Sequence, residues 1–255
     1  INLGDVEVIG ASAFAYCKKL TSVDLLSCYA MGKTAFLGCD GLTEVNISKL
    51  RNTGEQAFAG CANLKTIYIN KDGLTKLGAG MFYKSPIENV KLYGDDTYTE
   101  NVVIKFAQIP TYAFRNTNIK SALIVGDVVS IGEYAFAGNN NLESVNIAGS
   151  VEYINSYAFA NNPKLTSITL PNSSTNYEEN IFANSIKLEN VKFQANTFIK
   201  TIGMNFLYGT NVSSFVVDQN NEKYIANNQY VLNKSGETII LAAPNYEYGD
   251  YVLPS

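Results

Sequence analysis

The chain has no histidine among its 255 residues. That absence removes the Ser-His-Asp and Cys-His arrangements and the H-E-x-x-H zinc site together. Neither a glycine-rich phosphate loop ahead of a Lys-Ser/Thr pair nor a G-x-G-x-x-G turn is found. Two carboxylates are enough to run glycoside chemistry. The adjacent acidic pairs in unusual settings are Asp95-Asp96 and Glu178-Glu179, and both read as solvated loop charges. Asp95, Asp96 and Glu100 have the oxygens to ligate calcium, but EF-hand spacing is lacking. No catalytic residue, metal ligand set or cofactor is therefore expected.

The residues around these positions are organised by repetition. Ile131 to Ile147 reads I-G-x-x-A-F-x-G-x-x-x-L-x-x-V-x-I, and the same pattern recurs along the chain. Its phenylalanine returns as Phe14, Phe36, Phe58, Phe82, Phe114, Phe136, Phe159, Phe182 and Phe206, at steps of 22, 22, 24, 32, 22, 23, 23 and 24. A fixed period of this size marks a solenoid, whose coils bury their apolar faces only by stacking. The expectation is a mainly-β repeat solenoid of about nine coils of 22–24 residues.

Within each coil the L-x-x-V-x-L segment ends in period-two alternation, the signature of a strand. Val23 and Leu25 then face inward while Ser22 and Asp24 face outward. Stacked coils would join these strands into one parallel sheet. Apolar residues five before most phenylalanines (Ile9, Met31, Leu77, Ile109, Ile131, Ile154, Tyr177), with Val128 and Val151, predict a second short strand on the opposite wall. Gly10, Gly32, Gly54, Gly78 and Gly132 follow that wall, and a sharp corner is expected there. The A-F-x-G stretch is expected to be a short helical turn carrying each phenylalanine inward, a column worth roughly 1.5–3 kcal/mol per ring.

Cys17, Cys39 and Cys61 share one repeat position, and Cys28 stands apart. Without histidine or a C-x-x-C pair a zinc site is poorly supported. Neighbouring rungs would bring cysteines close, but with parallel Cβ vectors unsuited to a disulfide. Free thiols packing as small apolar residues are expected. Asn139 and Asn162 take the same place later, which suits a backbone-facing turn.

Two departures break the period. The 32-residue step holds an irregular insertion at about 93–107, a loop or an extra hairpin. After the array (1–217) comes a strand-turn-strand unit (218–244), with Lys234-Ser-Gly-Glu237 as its turn, and 245–255 reads as the lead-in to a further coil. The repeat pattern runs into both ends, so the chain reads as a piece of a longer one, and no signal peptide is seen because residue 1 already lies in the pattern. A net charge of −4 and 46% hydrophobic residues speak against nucleic acid and against disorder. No apolar run approaches the roughly 18 residues of a membrane helix.

The whole pattern, with Gly38-Cys39 and Gly60-Cys61 matching a literal G-C step, resembles the BspA-type leucine-rich repeats. Tyr224 to Pro244 is similar to the strand-turn-strand insert that lies between arrays in that family. The resemblance implies a leucine-rich repeat right-handed superhelix with a parallel sheet. It also implies a cell-surface or secreted, non-enzymatic recognition or adhesion module, whose partner is a host or cell-surface protein or glycan. Neither nucleic acid nor direct membrane insertion is expected, and the piece is expected to be monomeric. The family has no fixed ligand motif, so no functional residue is carried over.

A partner would meet the outward column of the main sheet: Asp24, Asn46, Tyr68, Lys91, Leu123, Asn146, Thr169, Lys192 and Val216. The column is richest near Tyr68, Lys91 and Tyr93, with the inserted loop Asp95, Asp96 and Tyr98 beside it. Exposed tyrosine beside a cation is a composition interfaces prefer, although tyrosine also simply suits strands. These six residues form the expected ligand-binding patch. A parallel β-helix polysaccharide-degrading enzyme and a purely structural spacer are the alternatives; the A-F-x-G-C turn and the lack of clustered acids count against the enzyme.

Overall fold

Two short extended segments per repeat, joined by a tight turn, wind the chain into a mainly-β parallel solenoid. The computed structural model describes residues 1–70, 76–92, 102–104, 106–227 and 229–244. The array makes about eight turns, since nine phenylalanines bound eight steps.

The L-x-x-V-x-L segments build the first wall. Glu44–Asn46, Thr66–Ile69 and Asn89–Leu92 form one parallel sheet. Val102–Ile104, Ser121–Ile124, Ser144–Ile147, Ser167–Thr169, Asn190–Phe193 and Ser214–Val217 form another. Alternation sets which side chains enter the core: along Ser144–Ile147, Val145 and Ile147 are buried and Asn146 is exposed. The long step between Phe82 and Phe114 contributes a rung of its own. Val103 lies opposite Leu123 in the parallel ladder, and buried Phe106 stacks on Phe114 at 6.5 Å. In the first repeat, Val23 to Leu25 joins neither sheet; instead the Asp24 amide donates to the Ile1 carbonyl at 3.0 Å.

The second wall forms where the apolar residues ahead of most phenylalanines predict it, and also at Thr53 and Thr201, where no apolar residue stands; Ile109 makes only an isolated bridge to Ile131 and Leu77 lies in no strand. Asp127–Ile131, Ser150–Ile154, Ser174–Tyr177 and Phe198–Ile202 pair in parallel. Val8–Ile9, Ala30–Met31 and Asn52–Thr53 do the same near the N-terminal end. Val128, Ile131, Val151, Ile154 and Tyr177 are all buried from this side.

The turn carrying the phenylalanine is not helical. From Phe14 to Phe182 each coil places a left-handed residue two positions before and two after the ring: Tyr134 at φ 53° and Gly138 at φ 71° flank Phe136. Helical φ/ψ is thus interrupted on both sides. The backbone amides then alternate in direction. Tyr134, Phe136 and Gly138 donate to Ser156, Ala158 and Ala160 of the next coil, at 3.3, 2.8 and 3.0 Å. Ala135 and Ala137 donate three residues back, to Gly132 and Tyr134, at 3.1 Å each. A helix would spend all these amides within one coil; this turn spends three of the five on holding coils together.

The glycines after the second wall also have a different reason from the expected corner. None of Gly10, Gly32, Gly54, Gly78 and Gly132 has a positive φ. For Gly32, Gly54, Gly78 and Gly132, a Cβ would collide with the backbone of the preceding coil. Close approach, rather than conformational freedom, selects glycine there.

Inside, the phenylalanines form one continuous column. From Phe14 to Phe182 successive centroids lie 5.0–6.2 Å apart with interplanar angles of 5–26°. Phe206 ends the column edge-on at 77°. In that coil the left-handed residues Asn205 and Gly209 bracket Leu207, so Phe206 stands one position earlier than the other rings and not at the shared position expected from the sequence.

Beside the rings runs a buried polar column, at the position the cysteines share with Asn139 and Asn162. The Asn139 amide side chain donates to the Phe114 and Phe136 carbonyls at 3.0 and 2.8 Å, and its Oδ1 accepts from the Thr117 amide at 2.7 Å. Ser85 and Ser185 make the equivalent bonds to the Phe58 and Phe159 carbonyls. The Cys39 and Cys61 thiols donate to the Phe14 and Phe36 carbonyls at 3.0 and 3.1 Å. The backbone-facing role expected of this position is what the structure shows. All four cysteines are free; Cys28, Cys39 and Cys61 are buried and Cys17 is exposed. Burial, the largest influence, pushes the Cys39 thiol up to about 11 and Cys61 to about 12, and raises Cys28 as well.

At the C-terminal end Tyr224–Asn227, Tyr230–Asn233 and Ile239–Ala242 form a three-stranded antiparallel sheet, one strand more than expected. Asn221 ties it to the array by donating to the Gln194 and Thr197 carbonyls at 2.8 and 3.0 Å. Tyr224 packs between Phe193 and Phe198.

Phe136→Ala removes a ring with stacked neighbours on both sides and should destabilise the protein by about 3–5 kcal/mol; denaturant melts measure it, and a loss under about 1 kcal/mol would contradict the column as core. The thiolate is the reactive form, so at pH 8 raised values leave the buried cysteines unreactive. Thiol titration of the native protein should find rapid labelling at Cys17 alone and full labelling only after denaturation. Rapid native labelling of Cys39 or Cys61 would contradict the buried hydrogen-bonded column.

Candidate functional site

The outward column of the first wall is a real row of neighbours. Asn46 pairs with Tyr68 and Tyr68 with Lys91 in the first sheet. In the second sheet Leu123, Asn146, Thr169, Lys192 and Val216 follow one another in register, with Val103 placed ahead of Leu123 by the extra rung. Between Lys91 and Leu123 the column passes from one sheet to the other, so the Tyr68–Lys91 pair stands at the last rungs of the first sheet.

Tyr68 and Lys91 are brought together. The Lys91 ammonium lies 5.9 Å from the Tyr68 ring centroid, within cation–π range. Tyr68 is half-buried and Lys91 is exposed. On the other side of Tyr68 a shallow cleft of about 280 Å³ is lined by Ser22, Val23, Glu44, Val45, Asn46 and Tyr68. This corner therefore offers one aromatic face edge, one cation and one carboxylate, Glu44, across a distance of three rungs. Tyr93, Asp95, Asp96 and Tyr98, with Glu100, lie outside the described residues.

Of the remaining candidate acids, Glu178 is engaged structurally. Glu178 accepts from the Ser156 amide and hydroxyl at 2.8 and 2.9 Å, a bond from coil to coil. Exposed ion pairs also link successive coils: Lys18–Asp40, Lys33–Glu55, Lys65–Glu88 and Lys120–Glu143. Pairs this exposed contribute about 0–1 kcal/mol each. Among the described residues no three metal-ligating side chains converge.

The sequence reading missed an aromatic ladder on the turn edge. Tyr112, Tyr134 and Tyr157 each stand two residues before a column phenylalanine. They stack at 5.5 Å and 4.9 Å with interplanar angles of 16° and 3°. Tyr83 extends the row at 6.4 Å from Tyr112, tilted by 50°. The Arg115 guanidinium lies 4.9 Å from the Tyr134 centroid, 5.1 Å from Tyr112 and 5.8 Å from Tyr83. Partial burial, then the neighbouring Tyr157 and Glu133, raise the Tyr134 phenol above its ordinary value, so it stays protonated at neutral pH. The shared repeat position of the three tyrosines was the signal that could have found them.

A family model for the BspA type leucine rich repeat region matches residues 1–103 and 107–235, in six copies. A leucine rich cell surface protein from Faecalibacterium prausnitzii A2-165 has 22% identity and a TM-score of 0.51, over 85% of this chain and 59% of that one. The chain thus spans little more than half of that protein's crystallised length. A leucine-rich repeat protein from Bacteroides ovatus (20% identity, TM-score 0.43) shares 84% of this chain and 71% of its own. The pneumococcal vaccine antigen PcpA (16% identity, TM-score 0.40) matches over 100% of this chain and 47% of its own. No curated protein matches the chain. The family model covers nearly every coil whose ladder, turn and buried polar column are described above, and the chain belongs to the BspA-type leucine-rich repeat family.

Proposed function

We propose that this array is a non-enzymatic recognition module of a surface-located or secreted protein, and that it binds a protein or glycan through the outward face of its first wall. The observation that carries the reading is the in-register pair of Tyr68 and Lys91 at the sheet junction, beside the Glu44-lined cleft. A solenoid sheet presents one side chain per coil as a continuous surface, which suits extended contact rather than enclosure of a small molecule. Tyrosine supplies contact area at low conformational cost, and the lysine gives the patch a charge for orientation. Surface placement is supported by the likeness to the Faecalibacterium cell surface protein.

The experiment is quantitative binding to a partner first isolated by cross-linking to the intact array. Tyr68→Ala with Lys91→Ala should weaken binding by about tenfold or more. Lys200→Gln, on the second wall, should leave it unchanged. A double variant that melts like the parent and binds equally well would remove the patch from the account.

A further inference from the structure

We propose that the turn edge carries a second recognition surface, in which Arg115 on its tyrosine ladder takes a carboxylate from an acidic segment of a partner protein. The surface is separate from the sheet face and goes beyond the function proposed for it.

The fold does not require these side chains. The position two before the ring holds Ser12, Thr34, Gln56 or Asn180 in other coils, with the same left-handed backbone. The position after the ring, where Tyr83 and Arg115 stand, is alanine in Ala15, Ala59, Ala137, Ala160 and Ala183. A cation and four aromatic rings have therefore been gathered on adjacent turns, at positions other coils fill mostly with small or polar residues, Leu37 being the apolar exception.

The cation is held in place, and no described residue forms an ion pair with it. Its guanidinium lies over three rings, and its backbone is pinned, its amide donating to Tyr112 and its carbonyl accepting from Lys84. The planar fork of donors matches a carboxylate in bidentate geometry. Ordering arginine against aromatic faces before binding lowers the entropy cost of engaging it. A second cation, the Lys84 ammonium, lies 5.2 Å from the Tyr83 centroid, so two positive charges share one end of the ladder. Glu133 is the neighbouring acid, and its charge acts on Tyr134. In a chain of net charge −4 this is a local excess of cation.

The ladder also selects the class of partner. Tyr112, Tyr134 and Tyr157 already cover one another's faces. A sugar ring seeking an aromatic face would find the interior ones occupied. What remains outward are ring edges and phenol hydroxyls, one per coil along the solenoid axis, beside a fork for carboxylate. Tyrosine and arginine together are the residues most often found at the energetic centre of protein interfaces. An extended acidic peptide segment can place one carboxylate on Arg115, a second near Lys84, and its backbone along the hydroxyl row.

The test uses the intact protein and a fluorescein-labelled oligoglutamate peptide, followed by anisotropy at low and physiological salt. Saturable binding that weakens with salt is expected. Arg115→Gln should weaken it by about tenfold or more, and Arg115→Lys should recover only part, because an ammonium lacks the fork. Lys200→Gln on the second wall should bind as the parent does, and all variants should melt alike. Equal affinity in the Arg115→Gln variant, or no saturable binding of the peptide, overturns the proposal. Labelled oligogalacturonate binding through Arg115 in place of the peptide overturns the partner class.

Discussion

Contact between the backbones of successive coils is the constraint on which the rest of the structure depends. In the turns, alternate amides of each coil reach the carbonyls of the next, as Phe114 reaches Ala135, Phe136 reaches Ala158 and Phe159 reaches Ile181. This alternation requires left-handed residues on both sides of every phenylalanine. It also requires coils so close that Gly32, Gly54, Gly78 and Gly132 have no space for a Cβ. Left-handed conformations cost roughly 1–2 kcal/mol at non-glycine residues, and the fold accepts that cost at Thr34, Gln56 and Tyr134. The compensation is that the amides are satisfied between coils and the rings are brought into a stack. Contacts run mainly between adjacent coils, so stability is approximately a sum of such steps; Gln194 is an exception, donating to Leu170 of the preceding coil and to Ile147 of the coil before that.

The phenylalanine carbonyls lie beside the core with two lone pairs each; those of Phe14 and Phe36 take a backbone amide, from Cys17 and Cys39 at 3.1 and 3.3 Å, which leaves one lone pair apiece. The buried polar column answers this. Cysteine, serine, threonine and asparagine all occur there, and all meet that carbonyl with a short donor, as at Cys39, Ser85, Thr117 and Asn139. One physical requirement therefore explains both the cysteines and the asparagines. The same economy appears at the C-terminal end, where Asn221 and Tyr224 use side-chain hydrogen bonds and rings to join an antiparallel sheet to a parallel array.

Much of this was legible in the residues. Phenylalanine spacing identified the solenoid, period-two alternation located the first wall, and the apolar residues near Ile131 and Ile154 located the second. The turn was misread as helical because A-F-x-G fits a helical turn by composition, while the alternating direction of its amides depends on the neighbouring coil. The glycines were misread for a similar reason: Gly54 answers to Lys33 of the preceding coil, which no local pattern shows. On the surface, the strand register made the Tyr68–Lys91 neighbourhood predictable. The tyrosine ladder with Arg115 was not seen, although Tyr112, Tyr134 and Tyr157 repeat at fixed spacing. The stacking depends on how adjacent turns overlie one another, and Arg115 joins the ladder from a different repeat position.

Both proposed surfaces rest on side chains displayed by a scaffold whose rigidity comes from stacking, so the scaffold is the part to test first. Amide hydrogen exchange in the middle of the array tests it most directly. If coil-to-coil hydrogen bonds in the turns are the common constraint, the amides of Phe114, Phe136 and Phe159 will exchange only through cooperative unfolding. Their protection will equal that of sheet amides such as Val145 and Ile168. Fast exchange at these three amides, with the sheets still protected, would show the turns to be passive links and would contradict the account.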